Sequence, residues 1–535
     1  MAFSIGILVS FVIFMVIGIG LSRKVSSVEE YYVSGRNAGT LLITGSLVAS
    51  FLSTVAFMGE VGFSYDGYPI LLLILTIFNA SGYVFGVLFF GKYLRRSKAL
   101  TLPEYFGKRY DSSKVRTLTA ATTIFGVSAY LIAVTQGGAV LLSEILEVKY
   151  AFALILMWVV YTSFTTLSGA KGVLVTDTFM FLLFSIATFI SIPLIIKAVG
   201  GWPGAVTEGA TLAARPDLLS WHGITGDGAY MGTPGEALAW AIIMGLVWGF
   251  VIAVSPWQTS RYLMAKNEHV AIRSGVIAMI SLITLYLFLQ IGTSLVSVVN
   301  PDIVPSEKVF IWAAQNLLPT GVGVIAVSGI LAAAISSCST FLQLIGNSVT
   351  RDLLPKAQQG QLPDKQALKL SRISMLGVSV IILLITFWQP PSVMWIGYFA
   401  ATLFAASWGP AAFFSIYSKK VTKTAAFWSI IFGFLGVVGG EVLKLLGVSL
   451  PIYLHPAIIG FALSTITITV VSQFTTVTEA ERTFQAQLRQ LPVEELDRKE
   501  QKLTARYPYL LMASGILVIL ITFIFYYLPI SKVAL

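Results

Sequence analysis

Two adjacent serines, Ser336 and Ser337, stand in the run LAAAISSCST (331–340), inside an apolar stretch long enough to cross a bilayer. Ala333 and Ala334 beside them leave no bulk to hold a second helix away. A run of the same character, ASFLS (49–53), lies in an earlier apolar stretch. Hydroxyl and carbonyl oxygens are the ligands a hard cation takes. Ser336 and Ser337 supply hydroxyls and Ala333 a carbonyl, and Ala49 and Leu52 supply carbonyls if the helix breaks there. Such a cage carries no charge of its own, which suits an ion that must be released. Close packing through small residues explains the same composition equally well. An acid in an apolar span is a functional candidate by default, and Asp177 and Glu60 are the two singled out. Asp177 follows Thr176 near a span start, where the helix dipole alone would favour it. Glu60, in FMGEVGFSYDGY, is placed to face an outer vestibule, to pair with a substrate cation or to sit at the interface. Gln136 lies deep in a long apolar stretch and needs a polar partner there, from another helix or from a solute.

The elements that carry these residues must be membrane helices. Of 535 residues, 56% are hydrophobic and only 11% charged, against about 25% charged in a soluble domain. Apolar runs of about 20–30 residues alternate with short polar links, the pattern of a polytopic α-helical protein and not of a β-barrel. Fourteen spans are predicted: 2–21, 40–64, 69–93, 115–145, 150–167, 173–197, 236–257, 270–298, 320–349, 369–388, 392–417, 424–446, 454–473 and 508–529. The net charge of +10 is distributed unevenly, with 29 of the 35 Lys and Arg in or beside alternate links. The positive-inside rule then places those links in the cytoplasm and both termini outside, and explains the basic balance without a nucleic-acid partner. The first span has no charged residue before it and is followed by Arg23 and Lys24, so it reads as an uncleaved helix. The single cysteine, Cys338, excludes an internal disulfide.

Spans 2 and 7 both depart from a plain lipid-facing pattern. Span 2 carries Gly45, Ser46, Ser50, Ser53, Thr54 and Gly59, and span 7 carries Gly245, Trp248, Gly249, Ser255 and Pro256. Interrupted helices five spans apart point to two inverted repeats with a site at the membrane midplane, because broken backbone at that depth must line a cavity. The expected organisation is a first helix and link (1–39), a five-helix repeat (40–197), an outer Gly- and Pro-rich loop (198–235), a second five-helix repeat (236–417) and peripheral helices (418–535). The link 474–507 has the composition of an amphipathic cytoplasmic helix or a solvated linker.

Several motifs, taken in order, resemble the sodium:solute symporter family, whose members include proline, pantothenate, monocarboxylate, sialic acid and sodium/glucose carriers. They are EYYVSGRNAG (30–39), SLVASFLS (46–53), LTLPEYFGKRYD (100–111), YTSFTTLSGAKGVLVTD (161–177), SPWQTSRYLMAKN (255–267) and GILAAAISSCST (329–340). The resemblance implies an all-α membrane protein with a 5+5 inverted-repeat core of the LeuT type. It implies a Na⁺ site between the first and eighth core helices, at Ala49, Leu52, Ala333, Ser336 and Ser337, and places Asp177 on the inward ion path. Trp248 matches an aromatic lining the solute cavity of the proline carriers, and Pro256 matches the proline eight residues on. Ser53, Phe57, Gln136 and Ser255 are further candidates for the solute site.

The chain also departs from its relatives. Phe51 and Ile252 stand where the proline carriers resemble one another in an acid and an aromatic hydroxyl, which argues against proline. Few amide or acid groups lie at cavity depth, which argues against a sugar. The pantothenate and monocarboxylate branch carries an aromatic at the Phe51 position and a Pro-Pro link similar to QPPSVMWIG (389–397). The expected function is therefore Na⁺-coupled import of a small organic acid or amino-acid-like solute by alternating access, in the plasma (inner) membrane. Proton coupling stays open, because Glu60 and Asp177 are titratable. A channel would need a filter, and none is found. A membrane enzyme would need clustered His, Asp or Cys, whereas the three histidines lie at links or span edges. A sensor on the same fold would need a signalling domain. The partners expected are the solute, the coupling Na⁺ and the bilayer, and the sequence sets no oligomeric state.

Overall fold

In lipid a backbone amide has no water to bond, so a spanning chain must satisfy its polar groups within each segment. The computed structural model accordingly describes residues 2–22, 27–388 and 393–532 as helices and connecting turns. Two isolated bridges, Ala38 with Ala265 and Thr225 with Met231, are its only β contacts among the described residues. Arg23, Lys24 and the Pro-Pro motif at 390–391 lie outside the described residues.

Among the described residues ten helices are long and apolar enough to cross a membrane, or eleven when the bent pair Thr40–Phe51 and Val55–Tyr65 is taken as one. Shorter apolar helices at Ala2–Ile17, Tyr150–Thr166 and Pro456–Val471 fall where the sequence predicts the first, fifth and thirteenth spans. Proline starts several helices, where its missing N–H costs nothing: Pro69, Pro234, Pro256 and Pro456. Side-chain caps start others, with Asn267 accepting from the amide of Val270 and Thr422 from that of Ala425, and Thr233 adds a cap before Pro234 by accepting from the amide of Glu236.

The core and its periphery separate by burial. Buried residues make up 83% of the apolar window of Val393–Tyr417 and 78% of that of Thr320–Leu353, but 22% for Asp364–Thr386 and none for Arg498–Ser531. The last two present apolar side chains to lipid, as outer helices of a bundle do. Thr320–Asn347 and Tyr150–Ala198 pack together along much of their length, and Thr40–Phe51 lies against both. The predicted link between spans 5 and 6 is a sharp break between two helices. Tyr150–Thr166 and Gly169–Ala198 meet at a kink at Gly169, whose φ of 63° few residues other than glycine adopt.

The alternate links singled out by charge meet on one face. Arg36 donates to the carbonyls of Ala99 and Leu263. Arg96 pairs with Glu268 at 2.5 Å and bonds the carbonyl of Leu488. Arg116 pairs with Asp352 at 2.9 Å, and Arg351 with Glu104 at 3.1 Å. Burial pushes the Glu104 carboxyl upward, but Lys108 and Arg351 outweigh it and hold the group down at about 2. The link 474–507 joins this face through Glu479–Arg489, an amphipathic helix opened by a capping box of Thr478 and Glu481. The other links gather on the opposite face, where Arg215 bonds the carbonyls of Tyr65 and Pro301, and Tyr68 bonds the amide of Tyr230.

Candidate functional site

The run ASFLS breaks its helix. Thr40–Phe51 ends with Leu52 in extended backbone (φ −74°, ψ 102°), and after Ser53 the chain re-enters helix at an angle of 55°. The carbonyls of the last turn lose the amides four residues on that would otherwise claim them. The amide of Leu52 still reaches the carbonyl of Val48, and the Ser53 hydroxyl accepts from the amide of Val55 at 3.1 Å, capping the second half. Pro234–Met264 is also interrupted. Ser255 is extended (φ −65°, ψ 146°), because Pro256 disfavours helix in the residue before it. Across this second break the chain still runs as one span, Pro234–Met264.

Ser337 sits opposite the first break, and its hydroxyl donates to the carbonyl of Ala49 at 3.4 Å. Ser336 donates instead to Asp177 Oδ1 at 2.6 Å. Ala333 is fully buried in the unbroken helix Thr320–Asn347, so its carbonyl offers only the lone pair left over from the helical bond. The structure thus brings Ala49, Ser337, Ser336 and Asp177 together, with Leu52 at the break beside them.

Asp177 is held from three sides. Ser46 donates to its Oδ2 at 2.5 Å, Arg261 donates to the same oxygen at 3.1 Å, and Ser336 occupies Oδ1. Arg261 also donates to Ser46 at 2.7 Å and to Thr340 at 2.5 Å. Both charged residues are fully buried. A buried charge stays only when paired and hydrogen-bonded, and here the pair has partners on the broken helix, on Gly169–Ala198, on Pro256–Met264 and on Thr320–Leu353. Gly45 permits this, since a Cβ there would stand 2.7 Å from the Cα of Thr178.

Arg261 corrects the charge census. The sequence counts it among the cations of the link after span 7, whereas the structure places it in Pro256–Met264, inside the core. Thr340, Ser46 and Gln258, whose amide reaches Ser50 at 3.4 Å, join the site as well. A cation only five residues past Pro256, in SPWQTSRYLM, is the signal that could have singled out Arg261.

The solute candidates divide into groups. Trp248 is buried edge-on to Phe51 at 5.7 Å and to Tyr398 at 4.9 Å. Phe57 packs against two other rings, Phe184 at 5.6 Å and Phe310 at 6.3 Å. Ser53 is engaged in capping. Ser255 and Pro256 form the second break, and the Ser255 hydroxyl is buried without a hydrogen-bond partner. Gln136 is buried in Ser113–Leu146. Glu60, left open by the sequence, is buried and accepts from the Tyr398 hydroxyl at 2.8 Å.

Residues 31–433 match the family model for the sodium:solute symporter family. The chain is 27% identical over 442 residues to a sodium/proline symporter of Haemophilus influenzae, covering 78% of this chain and 84% of that protein. It is 26% identical over 476 residues to an osmoregulated proline transporter of Bacillus subtilis, covering 87% and 93%. A sodium/pantothenate symporter of Haemophilus influenzae is 23% identical over 448 residues, covering 80% and 89%. Among solved structures, a Na⁺-coupled sialic acid symporter in a substrate-bound outward-open state aligns with a TM-score of 0.75 at 15% identity, over 90% of this chain and 99% of that one. The nucleobase-cation-symport-1 transporter Mhp1, in a closed conformation, aligns with a TM-score of 0.53 at 11% identity, over 85% and 98%. These two likenesses concern the fold.

Proposed function

The chain belongs to the sodium:solute symporter family, a multi-pass membrane transporter that couples Na⁺ to a small solute, and we propose that its coupling ion binds at the first helix break. The ligands are the carbonyls of Ala49, Leu52 and Ala333 and the hydroxyls of Ser336 and Ser337. The observation that carries this reading is the 3.4 Å approach of Ser337 Oγ to the Ala49 carbonyl across the break. A cation of Ca²⁺-like size holds its oxygens at about 2.4 Å, and two such ligands at right angles stand about 3.4 Å apart. Ser336, now bonded to Asp177, turns from that carboxylate to the ion. Asp177, released, attracts Na⁺ as it leaves, and Arg261 limits how tightly it holds on. Asp177 is thus an ion-path residue and not a permanent ligand.

Binding at this site ties Thr40–Phe51 to Thr320–Leu353 and favours the outward-open arrangement. The solute binds beside it, near Trp248, Ser53, Phe57, Gln136, Ser255 and Pro256, and is a small organic acid or amino-acid-like molecule. Fourteen spans, arranged as two inverted repeats of five with additions at both ends, place the basic face in the cytoplasm and both termini outside the plasma membrane. The membrane potential then supplies roughly 2.3 kcal/mol per Na⁺ per 100 mV.

Uptake into proteoliposomes tests the ion site. With Ser336→Ala and Ser337→Ala combined, the Na⁺ concentration for half-maximal uptake should rise about tenfold or more, the loss of about 1.4 kcal/mol or more of ligation. Unchanged Na⁺ dependence in the double variant, or uptake by the unaltered protein driven by a pH gradient without Na⁺, would remove this assignment.

A further inference from the structure

Glu60 closes the π-turn Val55–Glu60 in the second half of the broken helix, and its carboxylate is buried. Its partners are two neutral phenols: the Tyr398 hydroxyl at 2.8 Å and the hydroxyl of Tyr286, from Glu268–Ser294. Among the described residues no Lys, Arg or His pairs with it, unlike Asp177, Glu104 and Asp352, which each have an arginine. A carboxylate in the interior of a membrane protein needs a counter-charge. A proton, a metal ion and a cationic group on the solute are the three that can supply it.

The surroundings of Glu60 select among them. Tyr398, which bonds Glu60, packs edge-on to Trp248 at 4.9 Å and to Trp395 at 5.8 Å. Trp248 in turn meets Phe51, the last residue before the helix break, at 5.7 Å. An aromatic wall therefore runs from the proposed ion site to the carboxylate. A metal ion would ask for more oxygen ligands than this wall contains. A proton would need no wall. An ammonium group is drawn both to a carboxylate and to aromatic faces. The Trp248 indole N–H is buried with no hydrogen-bond partner, a donor left for an acceptor on the same ligand.

We propose that the transported solute carries an amine or quaternary ammonium group, and that Glu60 together with Phe51, Trp248 and Tyr398 recognises it. This rests on the symporter reading and narrows its two solute classes to the amine-bearing one. The protonated amine sits against Glu60 and the rings, and an acceptor at the other end of the solute takes the Trp248 N–H. Phe51 makes the contact direct, since it joins the wall to the break where Na⁺ binds.

The test uses the full-length purified protein, with thermal unfolding and uptake read in NaCl and in choline-free KCl. The probes are 4-aminobutyrate, proline, glycine betaine, lysine and choline, set against propionate, lactate and glucose. At least one ammonium probe should raise Tm in Na⁺, and the amine-free probes should not. Glu60→Gln should weaken binding of that probe about 10- to 100-fold, the loss of a charge-assisted contact. Glu60→Asp should restore part of it. Stabilisation by Na⁺ alone should persist in Glu60→Gln, which shows that the variant folds and keeps its ion site. Stabilisation by the amine-free probes only, or by none of the probes, overturns the proposal. So does a Glu60→Gln variant that binds the ammonium probe unchanged but transports it independently of pH, which would make Glu60 a proton carrier. Failure of Na⁺ to stabilise or drive the unaltered protein is a different result, and sinks the symporter site instead.

Discussion

Asp177 and Arg261 form an ion pair in the interior, with every carboxylate oxygen and most of the guanidinium engaged. Such a pair is weak evidence for stability, because each charge gives up much of its hydration on burial. Breaking it is another matter, since the survivor is left uncompensated. Arg261→Ala should therefore destabilise the protein by about 3–5 kcal/mol, and Asp177→Asn combined with it should recover a substantial part. Chemical unfolding in detergent measures both. If the double variant is as unstable as the single, the arginine acts through packing and not through charge. The contrast with Glu60 is instructive. Both acids are buried, one with an arginine and the other with phenols only, and the difference points to separate tasks.

The broken helix does its work by coming close to its neighbours. Ser46, Ala49 and Leu52 lie on the first half, and their positions against Asp177 and Ser337 depend on the approach of Thr40–Phe51 to Gly169–Ala198. Gly45 stands at that contact, with Thr178 backbone where its Cβ would be. Gly45→Ala should cost about 1–3 kcal/mol through overpacking and should weaken Na⁺ stabilisation, because it lifts Ser46 from Asp177. Gly439→Ala, on Lys423–Leu445, meets nothing within 4 Å and serves as the comparison. Equal effects from both would mean that Gly45 is replaceable and that the approach is not set there.

Sidedness belongs to the whole molecule. Links that are far apart in sequence gather by charge on one face, held by Arg36, Arg96, Arg116 and Arg351. Cys338 is buried, so a cysteine introduced on an exposed link reports without background. A membrane-impermeant maleimide should label Lys149→Cys on intact cells and Lys365→Cys only after permeabilisation. Labelling of both from the same side would contradict the alternating links, and the reverse pattern would invert the orientation.

Much of this was legible without coordinates, because the governing rule is local. A segment in lipid must bond its own backbone, so apolar length, Pro256 and the small-residue run at 49–53 determined where helices run and where two of them break. Charge likewise set which links share a face, since each span carries the chain across once. The candidate ion ligands were also visible, as oxygens among small residues. What only the tertiary structure decided is partnership. Asp177 meets Ser46, Arg261 and Ser336 from 131, 84 and 159 residues away. Trp248 turns toward Phe51 and Tyr398, while Phe57 packs against Phe184 and Phe310. A helix dictates its own hydrogen bonds but not its rotation or its neighbours. Those depend on how side chains from several helices fit at once, and so Arg261 reads as a link cation in sequence and is a buried partner in the fold.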